Sequence, residues 1–151
     1  MAINRKQIEL LEKFLPNQNE FYQRRLTNTL NILKNAGRKD GVKFDNLQLS
    51  EAFQKAKKEN KKVFVDFYAV WCGPCRRMDM EVFPLGMVGD VFRNNLVAIK
   101  VDGESAIGKE LVKKYKVDAY PTYLLLDTAG KEMKRLVGYV DAERMVRELS
   151  L

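Results

Sequence analysis

The stretch Val63-Phe64-Val65-Asp66-Phe67-Tyr68-Ala69 is almost continuously apolar and follows directly on Lys61 and Lys62. Such a run, rich in β-branched and aromatic residues, suits a central strand covered on both faces. It leads straight into Val70-Trp71-Cys72-Gly73-Pro74-Cys75. Pro74 fits the first turn of a helix, where a missing N–H is no loss, so the two cysteines are expected where a buried strand hands over to a helix. A strand buried on both faces needs helices above and below its sheet, and this is the strongest constraint the chain places on its own fold.

The segments on either side meet that demand. Val42-Lys43-Phe44 reads as a short strand, and a helix of about ten residues starts from Ser50, where Ser50 and Gln54 lie near capping-box spacing. Beyond the cysteines a helix is predicted from about Pro74 to Phe83, interrupted near Pro84 and Gly86 and resumed through Val91. Leu96 to Val101 reads as a strand, Ser105 to Tyr115 as a helix and Thr122 to Leu126 as a strand. Asp127-Thr128-Ala129-Gly130 then turns the chain into Glu132 to Val137, and Asp141 caps a last helix through Leu149. The predicted order, βαβαβαββα, is that of an α/β domain over residues 42–151, with a mixed five-stranded sheet between helices.

Residues 1–41 form an expected N-terminal helical extension. Ile3, Ile8, Leu11 and Leu15 are near helical spacing, Pro16-Asn17-Gln18-Asn19 interrupts, and Phe21, Tyr22, Leu26, Leu30 and Leu33 follow on one face up to Gly37. The apolar faces are expected to pack on the main domain or on each other, with a membrane surface or a partner as the alternative.

Counts of a few residue types narrow the chemistry. With two cysteines and no histidine, the chain cannot complete a four-ligand zinc site from sulfur and nitrogen alone, and Arg76 after the second cysteine removes haem attachment. The net charge of +7 divides into +4 over residues 1–41 and +3 over the rest, and no recognition motif accompanies it, so nucleic acid is not an expected partner. No apolar run is long enough to span a bilayer. Arg5, Lys6, Glu9, Glu12 and Lys13 interrupt any secretory h-region at the start, so the default compartment is the cytoplasm, or the periplasm or cell envelope if an export signal was removed.

What remains for this cysteine spacing is redox chemistry. A thiolate attacks a disulfide, and the first turn of a helix favours that charge through free N–H groups and the helix dipole. Cys72 is therefore the expected attacker, and Cys75, one turn further in and more buried, the expected resolver. Gly73 keeps the approach open and Trp71 flanks the pair on the docking rim. A structural disulfide is the plainer reading, but closing so short a ring contributes only about 2 kcal/mol; a metal site shared between chains is another. Asp66 is anomalous in an apolar strand, because burial raises a carboxyl's pKa. It is expected either to exchange a proton with Cys75 through water or to sit as a strand-end residue bonded to backbone. Pro121 opens the Thr122 strand, and on the residues alone a trans bond is expected there.

The segment from Val65 to Cys75 resembles the active-site strand and loop of the thioredoxin family, and Tyr120-Pro121-Thr122 resembles that family's cis-proline loop. The similarity in element order covers residues 42–151. It implies that Cys72 and Cys75 attack and resolve, that Asp66 is the buried acid, and that Pro121 is cis. The backbone beside Pro121 would pair with an extended substrate segment, in a groove formed by Tyr120, Pro121, Thr122 and Gly138. Three departures stand out. Ala98 falls where thioredoxin has the lysine facing its buried acid, Tyr120 is bulkier than the usual residue before the proline, and the Met80 to Gly89 segment is longer. With Glu51 to Lys62 ahead of the strand, these features look more like the thioredoxin-like domains of exported bacterial thiol-disulfide interchange proteins. The resemblance implies a protein disulfide reductase that needs no cofactor or metal. Its partners would be disulfide-containing proteins and a thiol electron donor, and the chain is expected to be a monomer. Isomerase or oxidase activity from the same cysteines, or a redox-silent binding module, are the alternatives.

Overall fold

The computed structural model describes residues 5–17, 19–35 and 37–150, without the side chains at positions 28, 32, 33 and 35. Ile3, Gln18 and the Leu33 side chain, which belong to the predicted N-terminal helices, lie outside the described residues.

Strand β1 (Lys62–Tyr68) takes up the apolar run, and its inner five residues are buried. It pairs in parallel with β2 (Leu96–Asp102) on one side and antiparallel with β3 (Thr122–Leu126) on the other. β3 continues antiparallel into β4 (Glu132–Val137), giving the order β2-β1-β3-β4. The β3–β4 turn is held by the Asp127 side chain, which accepts from the N–H groups of Ala129 and Lys131.

The sheet has four strands among the described residues, not five. The Val42–Phe44 segment, predicted as the fifth, is outside the sheet. Its neighbourhood is tied down by single backbone bonds, from the Val42 N–H to the Phe83 carbonyl and from the Asp45 N–H to the Ala98 carbonyl. One bond to β2 positions an extended segment without making a ladder, and Val42 and Phe44 are held instead by packing on the core.

One apolar layer, with Phe64, Ala98 and Tyr123 pointing into it, packs beneath helices α4 (Gly73–Glu81), α5 (Gly86–Asn95) and α7 (Ala142–Leu149). The opposite layer, with Val63, Val65, Phe67 and Leu124, packs against α3 (Leu49–Glu59) and residues from α6 (Ala106–Lys114). Period-two alternation along β1 divides these residues between the two faces. Ser105 and Asp141 cap α6 and α7 through their side chains, whereas α3 begins earlier than predicted. Its box runs from Gln48 to Glu51, whose carboxylate accepts from the Gln48 N–H at 3.0 Å.

Upstream, α1 (Arg5–Phe14), a 3-10 turn (Leu15–Asn17) and α2 (Glu20–Asn35) form a helical pair. α1 packs on α2, joined also by the Lys34–Glu12 ion pair, and α2 leans on α5. Leu30 is buried, but Leu10, Phe14, Phe21 and Tyr22 are largely exposed, so Phe21 and Tyr22 do not join the buried stripe predicted for them.

Candidate active site

β1 ends at Tyr68, and the next residues carry the chain across the top of the sheet into α4, whose first residue is Gly73. Cys72 therefore occupies the N-cap position, with Pro74 in the first turn. The Cys72 and Cys75 sulfurs are joined in a disulfide, with the Cα atoms 5.3 Å apart. The Cys75 N–H donates to Cys72 Sγ at 3.2 Å, the bond by which a helix N-terminus also holds a thiolate. Cys72 was expected to be the more accessible sulfur, yet in the disulfide it is 2% exposed and Cys75 5%. Tyr68 and Tyr120 pack against the cluster formed by Ala69 and the two cysteines. Gly73 faces open space, whereas Trp71 and Val70 project outward.

The Tyr120–Pro121 peptide bond is cis. This loop meets the cysteine loop through an edge-on contact between the Tyr120 and Trp71 rings, 5.9 Å between centroids. Thr122, fully buried, donates from its hydroxyl to the Ala119 carbonyl at 2.7 Å and braces the turn. Gly138 comes alongside from the end of β4, and its N–H donates to the Pro121 carbonyl at 2.9 Å. Its φ of 83° lies in the left-handed region, which a glycine adopts without strain. Sequence positions 71–75, 120–122 and 138 are thus gathered at one end of the sheet.

Asp66 lies apart from them, inside the sheet. It pairs in register with Lys100 of β2 and Tyr123 of β3, so all three side chains point to the same face. Lys100 Nζ is 3.5 Å from Asp66 Oδ2 and 2.6 Å from Asp79 Oδ1 on α4. Burial pushes the Asp66 carboxyl up to about 7; the Lys100 charge opposes this, and the Asp79 charge reinforces it. Desolvation wins because Lys100 sits closer to Asp79 and shares its charge with it. Asp66 Oδ1 and the Tyr123 hydroxyl have no protein hydrogen-bond partner among the described residues. Burial, and after it the nearby Asp66 and Asp79 charges, holds the Tyr123 phenol well above its ordinary value. Asp79 and Lys100 also line a surface cleft of about 430 Å³, bordered by Val42, Phe44 and Pro84.

Lys100 and Asp79 are the residues that reading the sequence missed. Ala98, aligned with the lysine of thioredoxin, faces Phe64, and the lysine that reaches Asp66 stands two positions later on the same face of β2. The parallel register of β1 and β2 was the signal that could have revealed it. Among the described residues no group of histidine, cysteine and carboxylate side chains could hold a metal, and no helix is long and apolar enough to cross a membrane.

Residues 49–150 match the model of the thioredoxin-like domain family. An H-type thioredoxin of Fagopyrum esculentum is 37% identical over 59% of this chain and 71% of its own length. The thiol:disulfide interchange protein DsbD of Pseudomonas fluorescens is 31% identical over 66% of this chain, which spans only 18% of that longer protein. Among solved structures, a Bacteroides thetaiotaomicron chain proposed to be a disulphide-isomerase superposes with a TM-score of 0.67 at 41% identity, over 75% of this chain and 93% of that one.

Proposed function

Because this chain belongs to the thioredoxin-like domain family and is a thiol-disulfide oxidoreductase, we propose that it works as a protein disulfide reductase, with residues 42–151 as the working domain and 1–41 as an appended helical segment. The observation that carries this reading is Cys72 at the N-cap of α4, bonded to Cys75 and accepting its N–H.

The reduced form starts the cycle. The Cys72 thiolate attacks one sulfur of a substrate disulfide, forming a mixed disulfide and releasing the other substrate sulfur as a thiolate, which takes a proton. Cys75 loses its proton and attacks Cys72 Sγ. The Cys72–Cys75 bond forms, the mixed disulfide breaks, and the second substrate thiol leaves. The substrate gains two electrons and this chain loses two, and a thiol donor returns them. A carboxyl held near 7 can accept the Cys75 proton at neutral pH, and the cleft beside Asp79 and Lys100 gives that proton a way out. The substrate segment lies extended along Tyr120, Pro121 and Thr122, with Gly138 beside them, and pairs with the Pro121 backbone. Trp71, Gly73 and Pro74 shape the loop above it.

Isomerase activity is a second reading, favoured by the Bacteroides chain of 41% identity. Turnover of an intact protein disulfide separates the two from repair of a scrambled one. A reductase lowers disulfide content with a thiol donor present, whereas an isomerase restores activity to scrambled protein at constant disulfide content. Cys72→Ser is expected to cut either turnover about a thousandfold or more. Cys75→Ser is expected to leave a mixed disulfide on Cys72 that mass spectrometry identifies. Full turnover by the Cys72→Ser protein would end the proposal.

A further inference from the structure

Gly103 follows β2 directly, and its N–H donates to the Tyr68 carbonyl at the end of β1 at 2.9 Å. A Cβ at this position would stand 2.1 Å from the Tyr120 hydroxyl oxygen and 2.5 Å from the ring carbon that carries it. The φ of Gly103 is not positive, so the backbone does not require glycine here; the tyrosine ring does. From this seat the ring packs against the Ala69, Cys72 and Cys75 cluster and meets Trp71 edge-on. Beside it Trp71 and Val70 are 66% and 74% exposed. Trp71 therefore extends the apolar surface of the half-buried Tyr120 out to solvent, and Val70 is its exposed chain neighbour.

Resting on the reductase reading above, we infer that Gly103 seats Tyr120 as one wall of the substrate groove, and that Tyr120, Trp71 and Val70 select protein disulfides with an apolar side chain next to the reactive cysteine. Exposed aromatic and branched surface gains most from contact with apolar groups, because that contact removes both surfaces from water. The charges of Glu104 and Asp102 act on the Tyr120 hydroxyl, while its ring meets Trp71. Asp102 is already engaged, its carboxylate accepting the Glu104 N–H at 2.9 Å. Tyr120 is here a specificity-determining residue and Gly103 a positioning one.

The test uses the full chain with peptide disulfides identical except for leucine, serine or lysine before the reactive cysteine, and bis(2-hydroxyethyl) disulfide as a probe without side chains. The wild type is expected to prefer the leucine peptide over the serine peptide by about tenfold in kcat/KM, expressed in KM. Gly103→Ala should bring that ratio to within about twofold while kcat on the small disulfide holds. Trp71 is the chain's single tryptophan, so its emission should shift as Tyr120 is displaced. Tyr120→Ser, which leaves the β2 end untouched, should erase the preference by itself, and adding Gly103→Ala to it should change nothing further. A wild type that favours lysine or serine, a preference that survives in both variants, or equal losses on peptide and small disulfide would overturn the inference. If the wild type turns over none of these disulfides, the reductase reading fails, and this inference with it.

Discussion

Asp66 and Asp90 are both carboxylates beside a basic side chain, and their surroundings drive them in opposite directions. Asp90 on α5 accepts from Arg38 at 2.8 and 3.0 Å and pairs with Arg93; these hydrogen bonds hold its carboxyl below the ordinary range. Asp40 belongs to the same exposed group through Arg38, and together the four side chains clasp the segment after α2 to α5. Asp66 also has a cation at ion-pair distance, yet its carboxyl is raised, because the sheet has stripped its water and Lys100 serves two acids. A nearby opposite charge is therefore a poor guide to a carboxyl's charge state until its solvation is known. The exposed group can hold a loop in place, while the buried one can hold and release a proton.

The difference should show as opposite pH dependences, and the buried side is expected to give the larger effect. Because the folded value for Asp66, about 7, lies above the ordinary 3.8, the folded state binds the extra proton between them. The stability this contributes is complete below about 4 and is lost as pH rises through about 7. Asp66→Asn should consequently stabilise the fold at pH 8 by as much as about 4 kcal/mol, and by little at pH 4, in urea melts at the two values. No difference between the two would mean that Asp66 is ionised like a surface acid, and the comparison would break.

A smaller effect is expected on removing the cation. Lys100→Met removes the charge that opposes burial at Asp66 and should raise the pH at which stability falls by about one unit, as pH-dependent melts would read it. Asp79→Asn should do the reverse, because Lys100 is then free to turn to Asp66. The least effect belongs to the exposed group. Asp90→Asn should destabilise by less than about 1 kcal/mol, and about 1 M salt should remove most of that. Because the Asp90 carboxyl is lowered, what it contributes is present above the ordinary carboxylate range and lost as pH falls. A loss at alkaline pH instead would contradict the contrast with Asp66.

Much of the site could be read along the chain because its parts are local. The buried run, the turn and the helix that begins at Gly73 follow one another directly, so apolar pattern, Pro74 and cysteine spacing all bear on one short segment. The Ser105 and Asp141 caps, the Asp127 turn and the breaks at Pro84 and Gly37 are local in the same sense. Residues 42–44 were misread because a short alternating segment looks the same whether it joins a ladder or only lies beside one. The bulky Tyr120 was noticeable in sequence, but not that Gly103 makes room for it.

The amino-acid order by itself determined which strand would be buried, where the helix after it would start, and that two sulfurs would stand at its first turn, since each of these depends on residues a few positions apart. The tertiary structure alone decided that Lys100 and Asp79 stand beside Asp66, that Tyr120 packs on the cysteine cluster, and that Phe21 and Tyr22 face outward. Those outcomes rest on register and packing between segments far apart in the chain, and no local preference encodes the distance between them.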